Sequence, residues 1–225
     1  MLDAGTATAG EGLRADFQSQ GKGQRGSGWV SVAGQNLLIS YLLKPKGLVA
    51  SELNRLLQAV ALGAASACQM HTEAQIQIKW PNDIYADGLK LGGILIENRL
   101  MGEMVEWVVA GIGLNVQQRE FGGLKAISLS LLGANVELEA LAQTMGRKID
   151  FWLAALANGK QAQVKEAYLA CLFQLGQQAA YARPNGDVFL GTILDVAAGG
   201  HLVMMVEGEV EKFDLKEIEW RGNSA

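Results

Sequence analysis

The stretch "KWPNDIYADGLKLGGILIE", Lys79–Glu97, holds polar residues and glycines that a plain β-strand does not need. Lys79 ends the alternating run of a half-buried strand and precedes Pro81, which cannot donate a ladder hydrogen bond and therefore ends or edges the sheet. An ammonium group fixed there can neutralise a carboxylate and a phosphate as they react. For Asn82 and Asp83 two interpretations stay open, namely turn capping or contacts to a substrate and Mg²⁺.

Two apolar runs near this lysine contain glycines. Gly92 and Gly93 are adjacent in one run, and "GIGLNV" at Gly111–Val116 has two more glycines before Asn115. Glycine costs stability in a strand because it brings no side chain and loses the most entropy on folding, and the usual reason for it is close approach of backbone or ligand. The two runs predict a narrow apolar slot beside Lys79, with Asn115 as its polar tip.

The loop "FQSQGKGQRGSGW", Phe17–Trp29, combines four glycines with Lys22 and Arg25. Glycines let backbone N–H groups turn toward an anion, so the loop could wrap a phosphate. It does not match the Walker phosphate loop, which requires Gly-Lys-Ser/Thr before a helix. A solvated flexible loop is the alternative, although Trp29 favours a loop that closes over something flat.

The remaining sequence predicts the elements that position these residues. Apolar residues recur with helical spacing after a Ser51 N-cap, then over 138–156 up to Asn158-Gly159, and again over 162–175 up to Gly176. Residues 35–43 predict a buried strand, and residues 177–225 predict short strands joined by tight turns. We therefore expect a larger domain, 1–175, followed by a small β domain, 176–225.

Composition excludes several classes of function. Nineteen Lys and Arg residues against 23 Asp and Glu give a net charge of −4 without a basic run, so nucleic-acid binding is not expected. His71 and His201 lack neighbours at metal-ligand spacing, so no metal site is predicted. Apolar runs stop short of the roughly 18 residues of a membrane span, and no signal peptide is evident. With Cys68 and Cys171 far apart, we expect a cytoplasmic protein with reduced thiols.

Four motifs, in order, resemble those of the biotin protein ligases: "GKGQRGSGW", "KWPNDI", "KLGGILIE" and "GIGLNV". The final segments "GTILDV", "GGHLVMMVEGEVEKF" and "EIEW" resemble the SH3-like terminal domain of that family. The resemblance implies an α+β fold of the class II synthetase-like biotin/lipoate ligase type, with a mixed or antiparallel sheet packed with helices and a small C-terminal SH3-like β-barrel.

The family resemblance also implies a two-step reaction. Biotin and MgATP would give biotinyl-5′-AMP and pyrophosphate, and a lysine of the biotin carboxyl carrier protein of acetyl-CoA carboxylase would then attack the adenylate. Lys79 would be the catalytic residue that bridges the biotin carboxylate and the α-phosphate. Biotin binding is assigned to Gln18, Lys22, Gly23, Gln24 and Lys79. Adenylate binding is assigned to Gly21, Arg25, Gly26, Trp29, Asn82, Lys90 and Asn115, and Asp83 is the candidate contact for Mg²⁺.

The chain departs from the family pattern at two points. Gln24 stands where the family usually has an arginine that helps to hold the adenylate, and the upstream Ser-Thr-Asn segment that binds the polar ring of biotin is missing. We therefore expect weakened or absent turnover in this form. No helix-turn-helix precedes the catalytic part, so we expect a monofunctional ligase without a DNA-binding domain.

Two alternative functions stay open from the sequence. A lipoate ligase-like acyltransferase also uses a lysine and an acyl-adenylate, although Trp-Pro-Asn-Asp after Lys79 favours biotin. The missing upstream segment makes a non-catalytic biotin-binding module the other alternative. Family members often pair as dimers, and the sequence leaves a homodimer open.

Overall fold

A computed structural model describes residues 10–24 and 28–221 of the chain. The strands in these ranges are β1 (Gly12–Ala15), β2 (Gly21–Lys22), β3 (Gly28–Trp29), β4 (Asn36–Leu43), β5 (Ile76–Lys79), β6 (Asp83–Ala86), β7 (Leu89–Met101), β8 (Met104–Asn115), β9 (Gln178–Ala182), β10 (Val188–Val196), β11 (Leu202–Val206), β12 (Glu209–Phe213) and β13 (Glu219–Trp220). The α-helices are α1 (Leu53–Gln69), α2 (Leu138–Ala157) and α3 (Gln161–Ala170).

The larger sheet has six strands in the order β1-β4-β8-β7-β6-β5, and every pair of neighbours is antiparallel. Side chains alternate between its two faces. One face carries Ile39, Ile94 and Ile112, which belong to the buried core under α1 and α2. Gly93, Gly111 and Gly113 lie on the opposite face, where the described residues pack no helix against β7 or β8. Helices packed on antiparallel sheets confirm the predicted α+β class.

Helical spacing correctly predicted both α1 and α2, and α2 ends before Asn158-Gly159 as expected; the two helices pack in close contact. The predicted N-cap is wrong, because Ser51 lies inside a 3-10 turn, Ala50–Glu52, and α1 begins at Leu53. Tertiary contacts hold this turn: the Ala50 N–H donates to the Glu103 carbonyl at 2.9 Å. None of the helices in the described ranges is long and apolar enough to cross a membrane.

Helix α3 is shorter than the sequence predicted, since it ends at Ala170 rather than before Gly176. The chain leaves the helix to pair with β5: the Ile78 N–H donates to the Cys171 carbonyl at 2.8 Å, and the Phe173 N–H donates to the Ile78 carbonyl at 2.9 Å. These two bonds replace the helical bonds that the apolar periodicity suggested. Helix propensity is routinely overridden by tertiary context in this way.

The C-terminal strands form a five-stranded antiparallel sheet in the order β12-β11-β10-β9-β13, which fits the expected SH3-like unit. Its Tyr181, Ile193 and Phe213 belong to the same buried cluster as Ile78 of the larger sheet. The apolar core is therefore continuous between the two sheets. A domain boundary between residues 175 and 176 stays a prediction.

The α1–α2 crossing generates a first testable prediction. A Cβ atom added to Gly63 would lie 2.7 Å from the backbone nitrogen and Cα of Ile149, so Gly63→Ala must push the helices apart. We expect the free energy of unfolding to fall by about 1–3 kcal/mol, because overpacking outweighs the helix propensity of alanine. Urea denaturation of the wild type and the variant measures this change, and equal m-values show that the difference is one of stability.

Gly146→Ala in α2 is the matched control. The nearest contact of its added Cβ would be the Tyr41 ring at 3.4 Å, an ordinary van der Waals distance. We expect this variant to be as stable as the wild type or slightly more stable. Equal destabilisation by both substitutions would contradict the close packing at Gly63.

Candidate active site

A cleft of about 570 Å³ lies on the helix-free face of the six-stranded sheet. Gly93 of β7 and Gly111 and Gly113 of β8 line it. Gly93 and Gly113 are direct cross-strand partners, and Gly111 is two residues from Gly113, so all three share this face. Because glycine has no side chain beyond a hydrogen atom, the backbone of these residues forms the floor of the cleft. The predicted glycine floor is present and faces away from the helices, but the expected apolar slot is wrong, because charged and amide side chains such as Lys22, Asp83 and Glu97 line the cleft.

Trp29 lies on this floor. A Cβ atom at Gly113 would be 2.6 Å from the Trp29 ring, so only glycine allows the ring to pack this closely against β8. The indole Nε1 is buried and has no hydrogen-bond partner within the described residues. Gly21, the partner of Trp29 in the β2–β3 hairpin, is equally constrained, because its Cβ would lie 2.4 Å from the Trp29 carbonyl oxygen. Close packing thus explains both glycines.

Lys90 supplies an ammonium group to the cleft. Its Nζ lies 2.7 Å from Oδ1 of Asp83, and both residues line the cleft with partly exposed side chains. A Cβ atom at Gly93 would lie 3.3 Å from that oxygen and 3.6 Å from Nζ, so this glycine leaves room for the ion pair. A half-buried ammonium group beside an open floor is suited to bind a carboxylate or a phosphate.

Lys79 does not line the cleft. Its Nζ donates a hydrogen bond to the Tyr85 hydroxyl at 3.2 Å and lies 4.8 Å from the ring centroids of both Tyr85 and Trp220. Burial lowers the pKa of Lys79, the nearby Asp83 carboxylate opposes this shift, and the Lys90 ammonium adds to it. The ammonium group is therefore next to the Asp83–Lys90 pair but at the boundary with the C-terminal sheet. Its role as the reacting lysine stays a prediction, and the geometry adds Lys90 as a candidate.

The loop before β3 borders the cleft as expected. Gln18, Lys22, Gly23 and Gln24 all line it, together with Phe17, Ser19 and Gln20. Arg25 and Gly26, which carry the other predicted phosphate contacts, lie outside the described residues. The observed part of the loop thus brings one cation, Lys22, and several amide groups to the cleft.

The two predicted asparagines are structural anchors. Asn82 is buried and lines the cleft, and its side-chain amide donates to the Ile94 carbonyl, while the Ile94 N–H donates to the Asn82 carbonyl. Asn115 is buried away from the cleft lining and donates to the Ile127 carbonyl at 3.1 Å. These bonds tie the turn after β5 to β7, and both interpretations of Asn82, turn capping and substrate contact, stay predictions. The nucleotide contact of Asn115 stays a prediction.

Ser40 of β4 and Glu97 of β7 also line the cleft, and sequence reasoning missed both. Ser40 pairs with Gly111 across β4 and β8, and Glu97 lies four residues beyond Gly93 on the same face. Period-two alternation would have found Glu97, but Ser40 needed the register between distant strands. No group of three His, Cys, Asp or Glu residues within residues 10–24 and 28–221 could hold a metal ion.

The antiparallel sheet, the lysine-bearing cleft and the added SH3-like unit define the fold of the biotin and lipoate ligases. A biotin protein ligase from Aquifex aeolicus, solved with biotin and ATP, has this fold: it superposes with a TM-score of 0.81 and 24% identity, covering 99% of this chain and 93% of the Aquifex chain. The model of the biotin/lipoate A/B protein ligase family matches residues 13–115.

Sequence relatives distinguish the biotin ligases from the lipoate ligases within this class of proteins. The chain is 32% identical to a biotin–[acetyl-CoA-carboxylase] ligase of Paracoccus denitrificans over 169 residues, which cover 71% of this chain and 70% of the relative. It is 36% identical to the bifunctional ligase/repressor of Bacillus subtilis over 142 residues, 60% of this chain and 39% of that relative. The chain belongs to the biotin protein ligases.

The packing of Trp29 on Gly113 can be tested without any ligand. We expect Gly113→Ala to displace the indole, because the new methyl group would occupy the position of the ring. In protein labelled with 5-fluorotryptophan, the fluorine resonance of Trp29, assigned with a Trp29→Phe variant, should shift and broaden.

Gly111→Ala is the control for this displacement. Its added Cβ would meet nothing closer than the Leu95 carbonyl at 3.6 Å, so the Trp29 resonance should stay in place. An unchanged Trp29 resonance in Gly113→Ala would show that the ring is not held against β8.

Proposed function

We propose that this chain activates biotin with ATP to biotinyl-5′-AMP and transfers the biotin to a lysine of the biotin carboxyl carrier protein of acetyl-CoA carboxylase. The observation that carries the proposal is the Lys90 ammonium group beside a glycine floor, under a loop with a flat indole. Membership of the biotin protein ligases supports the substrate and the carrier. Two free thiols, one buried and one half-buried, are consistent with a cytoplasmic location.

In the first step a carboxylate oxygen of biotin attacks the α-phosphorus of ATP, and the bond from that phosphorus to the pyrophosphate leaving group breaks. Two anions must meet, so a fixed cation between them lowers the barrier. We assign this role to Lys90, whose Nζ lies in the cleft, and we retain Lys79 as the alternative. Asp83 holds the Lys90 side chain in place.

In the second step the neutral amine of the carrier lysine attacks the acyl carbon of the mixed anhydride. A carbon–nitrogen bond forms, AMP leaves with the electrons of the broken carbon–oxygen bond, and the amine proton passes to solvent. Water competes for the same carbon, so the intermediate must be covered. We assign the cover to Trp29 and the loop residues that line the cleft, with Gln18, Lys22, Gly23 and Gln24 toward biotin.

Magnesium would enter with ATP and neutralise phosphate charge. Mg²⁺ usually keeps several waters and takes one or two carboxylates plus substrate phosphates. Asp83 and Glu97 are carboxylates among the residues that line the cleft, and Asp83 also pairs with Lys90. This donor set fits a metal that the nucleotide brings, with Asp83 as one protein contact.

The outer strand of the larger sheet offers a surface for partners. β1 pairs with β4 on one side, and the described strands add no partner on its other side. An unpaired strand edge can accept a strand of another chain. We propose this edge for the carrier protein or for a second copy of the chain.

Lys90→Ala and Lys79→Ala decide between the two lysines. We incubate each variant with biotin, MgATP and a carrier domain, and follow biotinyl-adenylate by chromatography and carrier biotinylation by intact mass. Lys90→Ala should reduce adenylate formation by about a hundredfold or more, because it removes a charge aimed at the reacting groups. Lys79→Ala should reduce it by roughly tenfold, as expected for one lost charge interaction near the site.

The exposed Lys212→Ala on β12 is the control and should react like the wild type. Full loss in Lys79→Ala with a mild effect in Lys90→Ala would return the reacting role to Lys79. Tight biotin binding by the wild type without adenylate would identify a binding module instead. Faster transfer of lipoate than of biotin would identify a lipoate ligase.

Gln24→Arg tests the departure of the loop from the family pattern. An arginine there can donate charge-assisted hydrogen bonds to the adenylate, which are worth about 1.5–3 kcal/mol. We expect release of preformed biotinyl-adenylate to slow by roughly tenfold or more, measured by a chase with unlabelled biotin and ATP. Gln20→Arg, another lining glutamine of the same loop, should change release less. Equal slowing by both would indicate general attraction to positive charge.

A further inference from the structure

The contact between the two sheets contains a lysine held between aromatic rings. Lys79 ends β5, and its Nζ lies 4.8 Å from the centroid of Tyr85 in β6 and 4.8 Å from the centroid of Trp220 in β13. An ammonium group within about 6 Å of such ring faces is attracted by their quadrupoles, and tryptophan attracts it most strongly. One of the two rings belongs to the larger sheet and the other to the C-terminal sheet.

Trp220 is itself firmly placed. Its ring packs edge-on against Tyr181 at 5.5 Å and lies 6.3 Å from Trp80, the residue after Lys79. The Trp80 indole N–H donates to the Gly200 carbonyl at 2.8 Å, so the C-terminal unit is also bonded to the β5–β6 turn. Pairing of β13 with β9 fixes the backbone of Trp220. The position of the Trp220 ring therefore depends on how the C-terminal sheet packs against the larger sheet.

The other side of Lys79 faces the cleft residues. Lys79 and Asp83 are cross-strand partners in the β5–β6 hairpin, and Asp83 binds Lys90 at 2.7 Å. The charges that act on the Lys79 ammonium are Asp83, which favours it, and Lys90, which disfavours it. Burial raises the pKa of Tyr85 to about 12, so its hydroxyl stays neutral as the hydrogen-bond partner of Lys79. Movement of Lys79 would therefore change the field at the Asp83–Lys90 pair.

We propose that Trp220 is a positioning residue through which the C-terminal unit holds Lys79 beside the Asp83–Lys90 pair and so sets the electrostatic field at that pair. The proposal rests on the proposed function, because it concerns the same cleft. It assigns to the C-terminal unit an indirect part in adenylate formation, since within the described residues Trp220 does not line the cleft. Trp220 acts through Lys79, and Lys79 acts through its charge.

Trp220→Leu and Lys79→Met, alone and combined, test this chain of contacts. Trp220→Leu keeps an apolar side chain but removes the ring face, and Lys79→Met keeps the stem but removes the charge. We expect Trp220→Leu to lower kcat for adenylate formation by about threefold to tenfold, with KM for biotin within about twofold. Trp220→Phe, which keeps a ring, should retain most activity. The double variant should equal Lys79→Met alone, because Trp220 would have nothing left to hold.

The pair Lys44–Trp107 is a matched control elsewhere on the larger sheet. Its Nζ-to-centroid distance is also 4.8 Å, and neither residue lines the cleft. Trp107→Leu should leave kcat unchanged. An equal loss of kcat in Trp107→Leu, or losses that multiply in the double variant, would overturn the proposal.

Chemical labelling gives a readout that does not depend on activity. The rate at which an N-hydroxysuccinimide acetate modifies Lys79, measured by peptide mass spectrometry against the exposed Lys212, should rise several-fold in Trp220→Leu and stay constant in Trp107→Leu. An unchanged labelling rate of Lys79 would overturn the proposal that Trp220 holds Lys79 in place. Absence of adenylate in the wild type would instead overturn the proposed function. The labelling would still test whether Trp220 holds Lys79 in place. If Trp220→Leu does not fold, full kcat in Lys79→Met overturns the proposal.

Discussion

The site depends on the register between β7 and β8. This register places Gly93 opposite Gly113, while Ile94 and Ile112 point together into the core under the helices. Because side chains alternate along a strand, a slip by one residue would turn the isoleucines into the cleft and the glycines into the core. Burial of the isoleucines, each worth about 1.5–3 kcal/mol, therefore also holds the floor of the cleft in place. The same β7–β8 register therefore fixes both the core and the floor of the cleft.

Three neighbouring residues, Lys79, Asp83 and Lys90, shape the electrostatic field at one edge of the cleft. Asp83 pairs with the Lys90 ammonium group at 2.7 Å and also favours the charged form of the nearby Lys79, so two ammonium groups are close to one carboxylate at this edge of the cleft. Such a cluster suits a reaction in which a carboxylate and a phosphate must approach each other. Burial makes the charge costly, which is visible in the lowered pKa of Lys79. The aromatic rings around that lysine offset part of the cost.

Local patterns predicted much of this molecule. Helix α2, the buried strand β4, the glycine floor and the lining by Gln18 and Lys22 could all be expected from periodicity, glycine placement and the family motifs. The contact of Lys79 with Trp220 could not, because Trp220 is far away in sequence. The end of α3 was missed for a similar reason, since hydrogen bonds to Ile78 of a distant strand take the chain out of the helix.

The C-terminal unit packs closely against the helices and the larger sheet. Lys165 of α3 pairs with Asp195 of β10 at 2.7 Å, and the Gly176 N–H donates to the Ile193 carbonyl at 2.9 Å, in addition to the shared apolar core. Both partners of the ion pair are substantially exposed, so this pair contributes little and the buried contacts dominate. An interface of this kind transmits position well, because packed side chains cannot shift independently. The lysine that meets Trp220 therefore takes its place from the packing of both sheets.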